Sequence, residues 1–251
     1  MPWPLPADDE GRLALAKGYP FPAPRRSYLF AHGRTRPIEE AHYDDRTPVI
    51  AHGSNRSPQQ LARKFAGYDG RDGEIPVTYG WLADYDVVYS AHVTNYGAIA
   101  SNLHHSPGCH VRIAVTWLTE RQLDRMHATE GVNYPFGRFD EVAIDKEAGP
   151  GPSMTEARIY ISRHGCLQHD GAPIGLAALE NRSRAYGTLA QLDALALVRD
   201  RYHADEDLDR HILRNIAELA RRRALIARMA AEATPSHVPH FSVLDDEISC
   251  G

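Results

Sequence analysis

Apolar and polar positions change rhythm several times along the chain, and each change predicts a different kind of element. Residues 1–46 are rich in Pro, Arg and polar residues with weak periodicity, which predicts an irregular arm wrapping a domain. At Thr47 the texture changes. The apolar run Pro48-Val49-Ile50-Ala51 predicts a strand, and it ends at His52-Gly53-Ser54-Asn55. Ser57-Pro58 then opens a helix running to about Ala66, because proline at the first helical position lacks an N–H that would be orphaned there anyway. Aromatic and β-branched residues predict strands over Pro76–Val88 and Val88–Val93, and strict alternation predicts another over His110–Trp117. Thr119-Glu120-Arg121-Gln122 reads as a capping box opening a short helix. Leu123, Met126 and His127 share one face of it, and Gly131 is a natural end.

Further strands are expected at Phe139–Ile144 and Ala157–Ser162, separated by the loop Gly149-Pro150-Gly151-Pro152. After Gly171 the pattern is helical to about Thr234: one helix carries Leu192, Leu195, Leu197 and Val198, and a longer one carries Leu208, Ile212, Ile216, Leu219 and Ile226. Arg221, Arg222 and Arg223 read as a solvated face of that longer helix. The expected architecture is α+β: a small mixed β-sheet or closed β-barrel-like core with flanking helices and a helical C-terminal extension. Its divisions are an arm (1–46), a core (47–170), helices packed on the core (171–234) and a polar, loosely held tail (235–251).

The 251 residues fit one large domain or one domain with extensions, and 43% apolar against 24% charged residues excludes wholesale disorder. The sequence has neither a long apolar run nor a basic, apolar leader, so a cytoplasmic protein without a membrane partner is expected. A net charge of −5 argues against nucleic acid as the main partner. Three scattered cysteines (Cys109, Cys166, Cys250) predict neither a disulfide framework nor a zinc site. His104, His105 and His110 lack metal-ligand spacing and read as a surface loop, so no metal is expected. Cys109 reads as a small buried residue, and Ser54 lacks the Gly-x-Ser-x-Gly setting of a hydrolase nucleophile.

Two places carry candidate chemistry. The loop His52-Gly53-Ser54-Asn55 lies between a strand and a helix, where backbone N–H groups can grip a carboxylate or small phosphate; an ordinary tight turn explains it equally well. Glu130 sits at a helix-to-loop junction among apolar and aromatic residues, which would raise its pKa and suit it to proton transfer; the plainer alternative is a solvated helix end.

Taken in order, these segments resemble the γ-glutamyl cyclotransferase superfamily. Ile50-Ala51-His52-Gly53-Ser54-Asn55 resembles that family's first strand and its Tyr-Gly-Ser-Asn loop, and Gly80-Trp81-Leu82-Ala83-Asp84-Tyr85 resembles its Gly-x-Leu-x-Asp-Phe strand. Gly97-Ala98-Ile99-Ala100 with Ser106-Pro107-Gly108 resembles the stretch carrying Gly-Ile-Ala and Ser-Pro-Gly. Leu123-Asp124 and Glu130-Gly131-Val132 resemble the segment holding the catalytic glutamate. The matches cover roughly residues 47–162, under half of the chain.

The resemblance implies cyclisation of a γ-glutamyl amine or γ-glutamyl amino acid to 5-oxoproline with release of the amine, without metal or organic cofactor. It implies Glu130 as acid/base, and His52, Gly53, Ser54, Asn55 and Tyr134 as substrate contacts. Two departures stand out: His52 replaces the family's loop tyrosine, and Tyr134 follows the glutamate earlier than in glutathione-pathway members. The alternatives are a non-catalytic small-ligand or protein-binding module of the same fold, as in the C-terminal domain of allophanate hydrolase, and an amidohydrolase. The partner implied is a small γ-glutamyl molecule; oligomeric state has no signature in the sequence.

Overall fold

The computed structural model describes residues 3–131, 133–141, 143–149 and 151–244; Val132, Pro150 and Cys250, named above, lie outside these. In chain order the strands are β1 (Tyr28–Ala31), β2 (Arg34–Arg36), β3 (Thr47–Ala51), β4 (Glu74–Val93), β5 (Ile99–Leu118), β6 (Phe136–Asp140), β7 (Ile144–Lys146) and β8 (Glu156–Tyr160). Short strands follow: β9 (Gln168–His169), β10 (Ala172–Pro173), β11 (Gly175–Leu176), β12 (Asn181–Arg182), β13 (Thr188–Leu189) and β14 (Phe241–Val243). The helices are α1 (Asp9–Lys17), α2 (Pro58–Lys64), α3 (Glu120–Glu130), α4 (Gln191–Tyr202), α5 (Leu208–Ala217) and α6 (Leu219–Ala231). No helix among the described residues is long and apolar enough to cross a membrane.

The α+β class holds, but the sheet is neither small nor closed. Twelve strands among the described residues form one mixed sheet, and its main path runs β13-β11-β4-β5-β3-β8-β6-β14. The path is open because strands from after residue 170 lengthen its two ends instead of joining them. The frame is the hairpin of β4 and β5, each 20 residues long and antiparallel from Val77↔Thr116 to Val93↔Ile99. Its register jumps between Ala83↔His110 and Tyr85↔His105, where Asp84 adopts φ +62° and accepts a 2.8 Å bond from the Gly108 N–H. Such a bulge bends both strands. Strand β3 pairs antiparallel with β5 and parallel with β8, so the last residues of β3 and β8 finish side by side.

Alternate residues of the strands feed two apolar clusters on opposite faces of the sheet. Ile50, Ile113 and Val115 join the cluster covered by α1, α4, α5 and α6. Val49, Ala51 and Ala114 join the one covered by α2 and α3, through Leu61, Phe65 and Met126. The capping box forms as expected: Thr119 Oγ1 accepts from the Gln122 N–H at 3.3 Å, and Gln122 Oε1 accepts from the Thr119 N–H at 2.9 Å. Cys109 is fully buried.

Elsewhere the sequence expectations need correction. Residues 1–46 are not an irregular arm: they hold α1 and the β1–β2 hairpin, and β1 joins the main sheet through β4. Trp3, Leu15, Tyr19 and Phe21 are buried in the core, which supplies the stabilisation that weak local periodicity does not show. Residues after Gly171 are not helical throughout, because β11 pairs with β4 and β12 with β5 before α4 begins. The long C-terminal helix is broken at Glu218 (φ −105°, ψ 90°) into α5 and α6. Arg222 donates across that break to the carbonyls of Asn215 (2.6 Å) and Ile216 (3.1 Å), satisfying C-terminal acceptors of α5. Arg221 is also no solvated charge: its side chain is 13% exposed and binds Glu206 at 2.6 Å, leaving Arg223 as the exposed member. The tail is held where it is described, by β14 against β6 and by Ser236, which accepts from Asn102 at 2.8 Å.

Candidate active site

A cavity of about 340 Å³ opens beyond the ends of β3 and β8 and is lined from both faces of the sheet. Its walls include His52, Gly53, Ser54, Asn55, Glu130 and Tyr134, so the structure brings all six sequence candidates to one place. The loop after β3 makes a single 3₁₀ turn over Ser54–Arg56, and N–H groups at the start of such a turn have no intrahelical acceptor. Gly53 is needed for close approach: a Cβ there would lie 2.5 Å from both Ser101 Oγ and the Tyr19 hydroxyl.

Those two hydroxyls belong to a buried network below the loop. The Tyr19 hydroxyl donates to Ser101 Oγ at 2.6 Å and accepts from the Ser101 N–H at 2.9 Å. Tyr134 donates its hydroxyl to the Ser101 carbonyl at 2.9 Å. His52 Nε2 lies 2.9 Å from the Tyr160 carbonyl and so carries the proton, which leaves Nδ1 to accept from Ser101 Oγ at 3.1 Å. Burial lowers the His52 pKa against the Tyr160 carbonyl bond and the pull of Glu130, so the imidazole is neutral. Burial also raises Tyr134 well above the ordinary phenol range, so its hydroxyl stays a donor.

Glu130 ends α3, with its side chain 20% exposed. Its Oε1 accepts from Asn55 Nδ2 at 3.1 Å and from the Nζ of Lys64, which the last turn of α2 places in the same cavity. The electrostatics reverse the sequence expectation of a raised pKa. Burial does push the carboxyl up, but the Lys64 charge and hydrogen bond and the Asn55 bond outweigh it and hold Glu130 below its ordinary value. Glu130 is therefore an ionised carboxylate at neutral pH.

Several cavity residues escape the sequence reading. Trp3 and Tyr19 come from the arm, His92 from the end of β4, Ser101 from the start of β5, and Tyr96 from the turn between those strands. No local signal marks them, because each reaches the site through long-range packing. Lys64 had one: at three and four residues from Leu61 and Gln60 it shares their buried helix face.

His92 is buried, stacks on His164 with ring centroids 5.1 Å apart, and has no hydrogen-bond partner for Nδ1 among the described residues. Burial, helped by His164, pushes its pKa down to about 3. The unfolded chain thus binds a proton below roughly pH 6.5 that the folded chain refuses, and stability present above that pH is lost progressively as pH falls toward 3. Urea unfolding at pH 7 and pH 4.5 should show a smaller acid loss for His92→Gln than for wild type; equal losses would count against this account.

No protein-family model matches the chain, and no curated protein matches it. Solved structures similar to it include one described as a gamma-glutamyl cyclotransferase, at 18% identity and a TM-score of 0.36 over 47% of this chain and 66% of that one. An Arabidopsis thaliana protein known from its solution structure is similar at 13% identity and a TM-score of 0.37, over 66% of this chain and 91% of that one. Kluyveromyces lactis allophanate hydrolase is similar at 11% identity and a TM-score of 0.35; 64% of this chain aligns with 23% of that enzyme.

Proposed function

We propose that the chain is a γ-glutamyl cyclotransferase-type enzyme that converts a γ-glutamyl amine or γ-glutamyl amino acid to 5-oxoproline. One observation carries this reading: Asn55 of the loop and Glu130 of α3, 75 residues apart, meet by hydrogen bond in a single cavity. In the proposed reaction Glu130 takes a proton from the substrate α-ammonium, and the freed amine attacks the δ-carbonyl carbon to close a five-membered ring. Charge developing on the carbonyl oxygen is met by N–H donors of the 53–55 loop. As the old C–N bond breaks, Glu130 returns its proton to the leaving nitrogen, and the second proton shed by the ring nitrogen follows it, so that the amine departs as an ammonium and Glu130 is again a carboxylate.

The energetics permit this with an ionised, weakly basic carboxylate. Moving a proton from an α-ammonium to an ordinary carboxylate is uphill by roughly 3–4 pKa units, about 5 kcal/mol. A turnover of about 10 s⁻¹ corresponds to a barrier of about 16 kcal/mol, so this step fits within it with room for ring closure. Holding the amine against the carbonyl supplies much of the rest.

The second reading, a non-catalytic binding module, is favoured by the Lys64 ammonium sitting on the carboxylate that would act as base. Incubation of the chain with a panel of γ-glutamyl amides separates the readings. Release of 5-oxoproline is expected; free glutamate would point to an amidohydrolase, and binding without any product to the module.

A further inference from the structure

We propose that Lys64 is a substrate-binding residue: on binding, its ammonium leaves Glu130 for the α-carboxylate of a γ-glutamyl head, and the α-ammonium of that head takes its place on Glu130. This rests on the function proposed above and adds a recognition element to it. Lys64 and Glu130 are the two formally charged side chains among the described residues that line the cavity. One positive and one negative group, side by side, match the paired charges of an α-amino acid head. Exchange of partners leaves four charges alternating in sign, each beside an opposite one, so no ion is stranded in a buried site.

Three details support an exchangeable contact over a purely structural one. The Lys64 side chain is 3% exposed, yet its other described neighbour is Met126 Sδ at 3.6 Å, a weak acceptor. Two of its three N–H donors therefore lack a strong acceptor until an anion arrives. Both hydrogen bonds that the Glu130 carboxylate makes with side chains among the described residues fall on Oε1. Asn55, which spends its amide N–H on Glu130, leaves a buried Oδ1 without a donor among the described residues. A buried acceptor without a donor beside an ionised carboxylate is what an incoming ammonium satisfies. Withdrawal of Nζ toward a carboxylate frees Glu130 Oε1, which it occupies, for that ammonium.

The test compares two anilides that share a leaving group: γ-L-glutamyl anilide, and 4-aminobutanoyl anilide, which lacks the α-carboxylate and would close to 2-pyrrolidinone. Wild type should prefer the glutamyl compound by roughly 10–100-fold in kcat/KM, the range expected for one hydrogen bond to a charged group. In Lys64→Met the preference should shrink several-fold toward unity through a higher KM for the glutamyl compound alone, and Lys64→Arg should restore most of it. A preference unchanged in Lys64→Met overturns the proposal. Titration calorimetry with the same two compounds decides the matter independently of turnover and of the fold of the single variant. The Lys64→Met/Glu130→Gln double variant, which removes both charges together, should bind them equally, whereas wild type discriminates. Wild type that binds both equally overturns the assignment of Lys64. Wild type that discriminates, loses this in the double variant and yet forms no cyclic product would retain the Lys64 assignment and reject the enzyme reading instead.

Discussion

Glu130→Gln should lower the rate of 5-oxoproline formation by about 10²–10⁴-fold, the usual contribution of a positioned acid/base. The substitution keeps shape and hydrogen-bonding atoms, so Asn55 still finds an acceptor. What it removes is the negative charge, and with it the proton acceptor and the counter-ion of Lys64. Some loss of stability accompanies it, because Lys64 is buried and left without an opposite charge. Rates from product analysis and thermal melts on the same preparation separate the two effects. A folded Glu130→Gln variant with wild-type turnover would end the catalytic assignment. The pH dependence has a defined sign. The folded pKa of Glu130 lies below its ordinary 4.5, so the ion pair contributes fully above that value and is lost as pH falls through the folded pKa. Catalytic competence falls over the same acid range.

The largest purely structural effect is expected at Arg184→Met. Asp86 is fully buried in β4 and accepts from Arg184 Nε at 2.6 Å, Arg184 Nη2 at 2.9 Å, Asn181 Nδ2 at 2.6 Å and the Val87 N–H at 2.8 Å. These bonds fasten the segment carrying β11–β13 to the central hairpin. Loss of the guanidinium strands a buried carboxylate, which typically costs about 3–5 kcal/mol, and the two remaining donors put this case toward the lower end. The melting temperature should fall by on the order of 10 °C. Adding Asp86→Asn should recover part of the loss, since it removes the stranded charge. A melting temperature for Arg184→Met within about 2 °C of wild type would show that the pair is replaceable.

Legibility of the sequence followed the range of the interactions involved. The α3 capping box, the Ser-Pro start of α2 and the alternation in the second half of β5 are written in a few neighbouring residues, and they appear where those residues place them. The first half of β5 was hidden because Asn102, Leu103 and the residues around them are buried without alternation, and both faces of that strand are covered. The break at Glu218 was hidden because apolar spacing continues through it while tertiary pairs fix the bend. At the site, the 52–55 loop and Glu130 were legible through motifs. Lys64 lies in no motif, and without it the sign of the Glu130 pKa shift is lost: apolar neighbours in sequence say nothing of a cation arriving from 66 residues away.

The arm's place in the cavity wall has a consequence for the order in which the molecule is assembled. The β4–β5 hairpin closes on itself through a short turn, and contacts of that kind form early. Tyr19 must find Ser101 across 82 residues, and Trp3 must reach Tyr96 across a still longer stretch of chain, with ring centroids finally 5.5 Å apart. Closing such loops costs entropy before any contact rewards it. The sheet can therefore be native while the cavity still lacks one wall. On refolding, recovery of ligand binding is therefore expected to lag behind recovery of the strand signal.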